Sequence, residues 1–426
     1  MIGGLMKTTS LYAVVAAAGL MMGGLTLSAN AADLGGDCCA DLEERVAELE
    51  ATTARKGNRK VSLEVSGQVN RALLVWDDGI DSDAYVVDND YSSTRFRLKG
   101  SATMKPGWKA GFLIELAVTD ENSEAVSQAD DDFQNDTRIQ TRHANWYIES
   151  ERYGRITVGQ GSPATDDLGD ITLGGGLSSA SLYAGSGFFV RSSGGGAFSS
   201  LTWGMLADVA DPSARGDLIR YDTPSIYGFI LSTSWGEDDF FDVALRFQKE
   251  WNSVRIAAGV GYSFDGDDEF FSTSPSSPNV DVERIFGSAS VMHVPTGVYL
   301  SLAAGTQERN DVNSAVNADI DDASFYYAQL GITKKFTSYG ATTLFVEYGE
   351  YDDYQNGLNI AGNTLAGSNV TRYGFGVTQA FDSAALELYA NFTFLEADLL
   401  LDVGEGTIRL DTEDLSLGLV GARIKF

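Results

Sequence analysis

Two rows of opposite charge carry what chemistry this chain offers. Arg95, Arg97 and Lys99 alternate with Phe96, Leu98 and Gly100, so three bases share one face of an extended segment, and Arg138 and Arg142 open another such segment. The acidic counterpart is Asp166, Asp167 and Asp170, in a Gly-, Ser- and Asp-rich stretch that continues through Gly174 to Gly176 and on to Phe188 and Phe189. Set across a narrow, water-filled gap with low-dielectric walls, such rows make a transverse field. It aligns polar solutes and forces apolar ones to shed ordered water. For any one of these arginines the alternative is a solvated wall residue, or a brace for a nearby carboxylate.

Catalysis finds no support. His143 and His293 are the only histidines, far apart and without Cys or carboxylate partners at metal-ligand spacing. No G-x-S-x-G elbow occurs, and the glycine clusters lack the strand–helix setting of a phosphate-binding loop. The expectation is no catalytic residue, no enzyme activity, no metal site and no cofactor, with Ca²⁺ or Mg²⁺ held by acidic loops against lipopolysaccharide as the one ionic exception. The formal charge of −30 repels nucleic acid and anionic lipid alike. Much of it falls in segments 77–90, 120–136, 265–269, 319–322 and 347–353, which read as solvated loops. Acidic mouths enrich cations, so a mild cation preference is expected.

The elements that position these rows are strands. From Val61 onward, alternating segments of about ten residues repeat to the end of the sequence. The clearest hairpin joins 96–104 to 108–118 through Lys105-Pro106-Gly107. Others lie at 138–149, 155–161, 217–223, 227–235, 240–249, 254–263, 285–292, 298–305, 325–334, 342–348, 370–379, 385–394 and 415–426. Short connections alternate with long acidic ones, as in single-chain outer-membrane barrels. The count is about sixteen, which predicts an all-β, antiparallel transmembrane barrel over 61–426 with a lumen too wide for wall side chains to fill. A secreted adhesin fold is the alternative. The longest connection, 162–215, is the candidate constriction, folded inward; an ordinary surface loop is its alternative.

Both ends agree with that reading. Lys7, an apolar run from Leu11 to Leu27 and Ala29-Asn30-Ala31 form an export signal over 1–31, cleaved between Ala31 and Ala32. Residues 32–60 hold the adjacent Cys38 and Cys39, a short helix with the seam Leu42, Val46 and Leu49, and a basic linker. The helix either meets two copies beneath the membrane or lies on the barrel as an amphipathic segment. Val420, Ala422, Ile424 and Phe426 alternate with Gly421, Arg423 and Lys425, a final strand with one lipid face.

The stretches from Cys38 to Leu49, Val65 to Arg71, Arg142 to Ile148, Tyr153 to Gln160 and Arg220 to Pro224 resemble the general porins of alphaproteobacteria over essentially the whole mature chain. The resemblance implies a homotrimeric outer-membrane pore for passive diffusion of small hydrophilic solutes, with the third outer loop inside. It also implies that Phe426 is the assembly signal read by the barrel-assembly machinery. One departure is Gln160, where many relatives carry a base, so a basic contribution from that strand end is in doubt. Alternative functions are a structural envelope protein tethered to peptidoglycan through Ala32, or a solute-specific channel.

Overall fold

The computed structural model describes residues 61–118, 120–131, 139–207, 215–237, 239–266, 280–311, 322–360 and 362–426. The export signal with Ala31 and Ala32, the cysteine pair, the helix seam Leu42, Val46 and Leu49, the linker to residue 60 and Arg138 lie outside the described residues.

The alternating segments become the wall strands β1 Ser62–Asp77, β2 Arg95–Lys105, β3 Trp108–Val118, β4 Ile139–Ser150, β5 Gly154–Gly161, β6 Gly216–Asp222, β7 Phe229–Gly236 and β8 Phe241–Trp251. The second half is β9 Val254–Asp265, β10 Val280–His293, β11 Val298–Asp311, β12 Ala323–Lys334, β13 Thr342–Asp352, β14 Asn363–Phe381, β15 Leu386–Asp402 and β16 Leu415–Lys425. Each pairs antiparallel with the next, and β16 pairs back onto β1 from Lys425↔Gln68 to Ser416↔Asp77. The sixteen strands therefore close into a barrel, which removes the exposed edges of an open sheet. The upper half of β1 pairs instead with a hairpin arm, Ser82–Asp88.

Turn chemistry follows the expected rule. Asn252 and Ser253, both at positive φ, make the two-residue link between β8 and β9, the primed geometry that suits the strand twist. Outside, Val260, Leu302, Leu330 and Phe375 are exposed as an apolar belt. Tyr153, Tyr227, Trp251, Phe336 and Phe426 are exposed beside the short turns, and Trp235, Phe241, Tyr326 and Tyr348 towards the other end. Two aromatic girdles flanking an apolar band are what a bilayer selects. No helix among the described residues is long and apolar enough to cross a membrane.

All sixteen expected segments are strands, and several outrun their expected limits. β14 and β15, expected over 370–379 and 385–394, extend to 19 and 17 residues. The upper part of β15 keeps its period of two but reverses its apolar face, since Leu395, Leu399 and Leu401 are buried inward in a core shared with loop residues while Glu396, Asp398 and Asp402 are exposed outside.

The third outer connection turns into the lumen rather than lying on the surface. Its backbone donors are met by small hydroxyls on the inner wall: Ala164 N–H donates to Ser234 Oγ at 2.8 Å, Ile171 to Ser288 at 3.0 Å and Leu173 to Ser290 at 3.0 Å. A buried backbone must be satisfied in this way. The Gly174–Gly176 run lets the chain approach closely, since a Cβ at Gly176 would lie 2.8 Å from the Phe345 ring. Beyond it, Leu182, Phe188, Leu201, Trp203 and Leu206 are buried in one apolar core inside the barrel that also holds Leu395, Leu415 and Leu417. Trp76 from β1 meets the Phe188 ring edge-on at 5.3 Å.

Candidate functional site

Where the loop leaves β5 and returns to β6, the charged residues converge. Glu115 on β3 is buried, and three guanidiniums share it: Arg97 Nε donates at 2.6 Å, Arg142 Nε at 2.9 Å and Arg95 Nη1 at 3.5 Å. Arg95 and Arg97 reach it because alternation on β2 turns both inward, opposite Ala117 and Glu115 in register. Arg142 reaches it through a bulge. Alternation from Ala144 and Trp146 would turn Arg142 to the lipid, but the register slips between Glu115↔His143 and Leu116↔Thr141, and the extra residue is re-aimed into the lumen. Lys99, also in the inward row, is exposed and pairs in register with Leu113 on one side and Glu64 on the other.

The three loop carboxylates are not equivalent. Asp167 is exposed, whereas Asp166 is buried 3.5 Å from Arg215. Asp170 turns back into its own loop and accepts from Ala180 N–H at 3.1 Å and Tyr183 O–H at 3.4 Å. The expected picture of two facing rows therefore becomes a basic cluster around Glu115, a tethered Asp166 and a single lumen-facing acid. Arg215, at the last residue of the connection, had no distinctive sequence neighbourhood. Gln160 holds it, its side-chain amide donating to the Arg215 carbonyl at 3.0 Å, so this strand end regains a base from the loop's return. The only sequence signal was its place immediately before a strand.

The loop is clamped at two further points. Thr165 N–H and its hydroxyl donate to the buried Asp242 at 2.7 and 2.8 Å. Arg372 on β14, fully buried, donates to the carbonyls of Ala180 at 3.1 Å and Ser181 at 3.2 Å and to Glu347 at 3.0 Å. Burial and repulsion from Asp167 push the carboxyls of Asp166 and Asp170 up to about 6. A carboxyl raised on folding binds its proton more tightly in the folded state, so its contribution to stability is present at low pH and is lost as pH rises from about 4 to about 6. The thermal midpoint of the barrel is expected to be higher at pH 5 than at pH 7, and D170N to narrow that gap. An equal gap in D170N would remove Asp170 from the explanation.

His143 faces the lumen opposite Glu115, while His293 sits at a periplasmic turn with its Nδ1 2.9 Å from Thr296 Oγ1. No group of three or more His, Cys, Asp or Glu that could hold a metal ion occurs among the described residues.

Solved structures share this architecture. The anion-selective porin from Comamonas acidovorans is 18% identical with a TM-score of 0.56, over 86% of this chain and 100% of that one. The trimer form of OmpT, an outer membrane protein of Vibrio cholerae, is 14% identical with a TM-score of 0.52, over 86% and 99%. The outer membrane channel DcaP of Acinetobacter baumannii is 13% identical with a TM-score of 0.51, over 88% and 100%. At such identities the likeness is one of fold. A comparison with curated protein sequences finds no match. The family model described as Gram-negative porin matches residues 12–398, most of the chain. With a closed sixteen-strand wall, a lipid-facing belt and a charged, loop-narrowed lumen, this chain belongs to the Gram-negative porin family and is a protein of the outer membrane.

Proposed function

We propose that the chain forms a water-filled, non-enzymatic channel for passive diffusion of small hydrophilic solutes and ions. The observation that carries this reading is the placement of water-facing charge, Arg97, Lys99 and Asp167, inside a closed barrel with an apolar exterior. A wall built only for structure would have no use for solvated ions on its inner face, where each must keep its water or find a partner. Selection is by size and charge at the gap between the loop and strands β2 to β5.

The working unit in this reading is a homotrimer. β5, β6 and β7 have 8, 7 and 8 residues, short of the roughly 9–11 that a tilted strand needs to cross the hydrocarbon core. That sector is served better by neighbouring barrels than by lipid. Purified protein in planar bilayers is expected to give stepwise, roughly ohmic conductance with closures in thirds. Absence of channels from folded protein would leave a structural envelope role as the better reading.

A further inference from the structure

We propose that the outer wall between β7 and β13 seats a glycerophospholipid of the periplasmic leaflet, its acyl chain in a groove over Ala258, Ala289 and Ala304 and its phosphate at Lys249.

The groove has a volume of about 880 Å³ and a lining that is almost wholly apolar. Its course follows from the register. Successive pairs link Phe229 to Phe247, then to Ala258, Ala289, Leu302, Ala328 and Tyr348. Barrel strands tilt by about 35–45°, so a row at right angles to them climbs as it goes round. This row starts beside the periplasmic turn at Tyr227 and ends in the outer girdle at Tyr348. The next row adds Gly287 opposite Ala304, and Val260 and Tyr326 stand up on either side of that pair.

Wall packing accounts for only part of this depression. Gly287 is fixed by β9, since a Cβ there would lie 2.3 Å from the Gly259 carbonyl oxygen. Ala289 and Ala304 are exposed, so larger side chains would fit outward at both. Lipid tails are as apolar as leucine, and what a groove offers a chain in the bilayer is van der Waals contact beneath it and on both flanks. Left unfilled, it forfeits those contacts. A methylene chain is the filler that the surrounding hydrocarbon supplies. A neighbouring barrel fits less well, because β8 to β12 beneath the groove have 11 to 14 residues and cross the core unaided, unlike the short strands β5 to β7.

Charge chooses the leaflet. Alternation on β8 turns Lys249 outward between Phe247 and Trp251, where it is exposed and has no ion pair or hydrogen bond among the described residues. Lys334 stands outward at the same end of β12, and no carboxylate projects outward between these two lysines among the described residues. At the opposite end of this face the outward groups are acids, Glu308 together with Glu283 and Glu350, which accept from the hydroxyls of Tyr262 and Tyr348. A phosphate is therefore attracted below and repelled above. The chain's total of −30 acts weakly here, since salt screens it beyond about 8–10 Å. Depth agrees with that end. Ala289 and Ala304 lie four and six residues from the periplasmic ends of their strands. At about 3.4 Å per residue along a tilted strand, both fall within the inner half of a core roughly 30 Å thick.

The test mixes the full-length protein in detergent with dioleoylphosphatidylglycerol or dioleoylphosphatidylcholine and counts retained lipid by native mass spectrometry. The expected result is one phosphatidylglycerol held per barrel, about fivefold more tightly than phosphatidylcholine. The variant A289F/A304F fills the groove and is expected to lose the retained lipid of either kind. K249Q is expected to keep a lipid and lose the preference between headgroups. Lipid counts in A289F/A304F equal to those of the parent would overturn the seat, as would a parent that retains none. A preference unchanged in K249Q would overturn Lys249 as the partner of the phosphate. Oligomers that fall apart in A289F/A304F would give the groove to a second copy of the chain and overturn lipid as its occupant.

Discussion

Replacing Arg372 with leucine is expected to give the largest single loss of stability in the barrel and to widen its pore. The guanidinium joins three parts of the chain: Glu347 on the wall, the carbonyls of Ala180 and Ser181 in the third connection, and the Tyr91 hydroxyl, at 3.2 Å, in the first. Glu347 also accepts from Ser178 Oγ and from Tyr327 O–H at 2.8 Å. Without Arg372 a carboxylate remains in a site that excludes water. Breaking one side of a buried pair costs about 3–5 kcal/mol. The strain is relieved by letting the loop go, so R372L is expected to show a lower thermal midpoint together with larger, noisier unit conductance. The double variant R372L/E347L should recover part of the midpoint, because replacing both charges is far cheaper than stranding one. An unchanged midpoint and conductance in R372L would mean that the loop is held elsewhere.

Deleting Phe426 is expected to lower the yield of assembled barrels several-fold while leaving the conductance of those that assemble unchanged. Its backbone closes the seam, with Gly67 N–H donating to the Phe426 carbonyl at 2.9 Å and Phe426 N–H to the Gly67 carbonyl at 3.0 Å. Two such bonds contribute about 0.5–1.5 kcal/mol each. Its ring lies over Gly67, where an added Cβ would come 2.5 Å from Cζ. F426L separates two roles for the residue. It keeps both backbone bonds, so a yield as low as in the deletion points to recognition of the aromatic side chain by the assembly machinery. A normal yield in F426L and a low one in the deletion leave the seam as the whole explanation, and normal yield in both removes the effect.

Much of the architecture was legible because period-two alternation has one physical cause here: lipid outside and water inside. All sixteen strands announced themselves that way, as did the hairpin at Lys105-Pro106-Gly107. What hid was whatever depended on the loop. The upper part of β15 turns its apolar residues Leu395, Leu399 and Leu401 inward, the reverse of a lipid-facing strand, because its inner face joins the loop's apolar core rather than water. The bases on β2 were visible as a row, but the fate of the acids was not. Nothing local distinguishes the exposed Asp167 from Asp170, whose partners lie ten to thirteen residues on in a folded turn. Arg142 needed a bulge and Arg215 needed Gln160, and neither leaves a periodic trace.

The hydroxyl ledge beneath the third connection also sets a timetable. Residues 164 to 181 rest on Ser234, Asp242, Ser288, Ser290, Glu347 and Arg372, groups that follow them by 70 to 192 positions. Contacts of such long range close slowly, because loop-closure entropy is spent before they give anything back. The segment that narrows the channel therefore has no seat until most of the later strands are in place. The width of the channel is then set by strands that the chain supplies long after the loop itself, β14 with Arg372 among them.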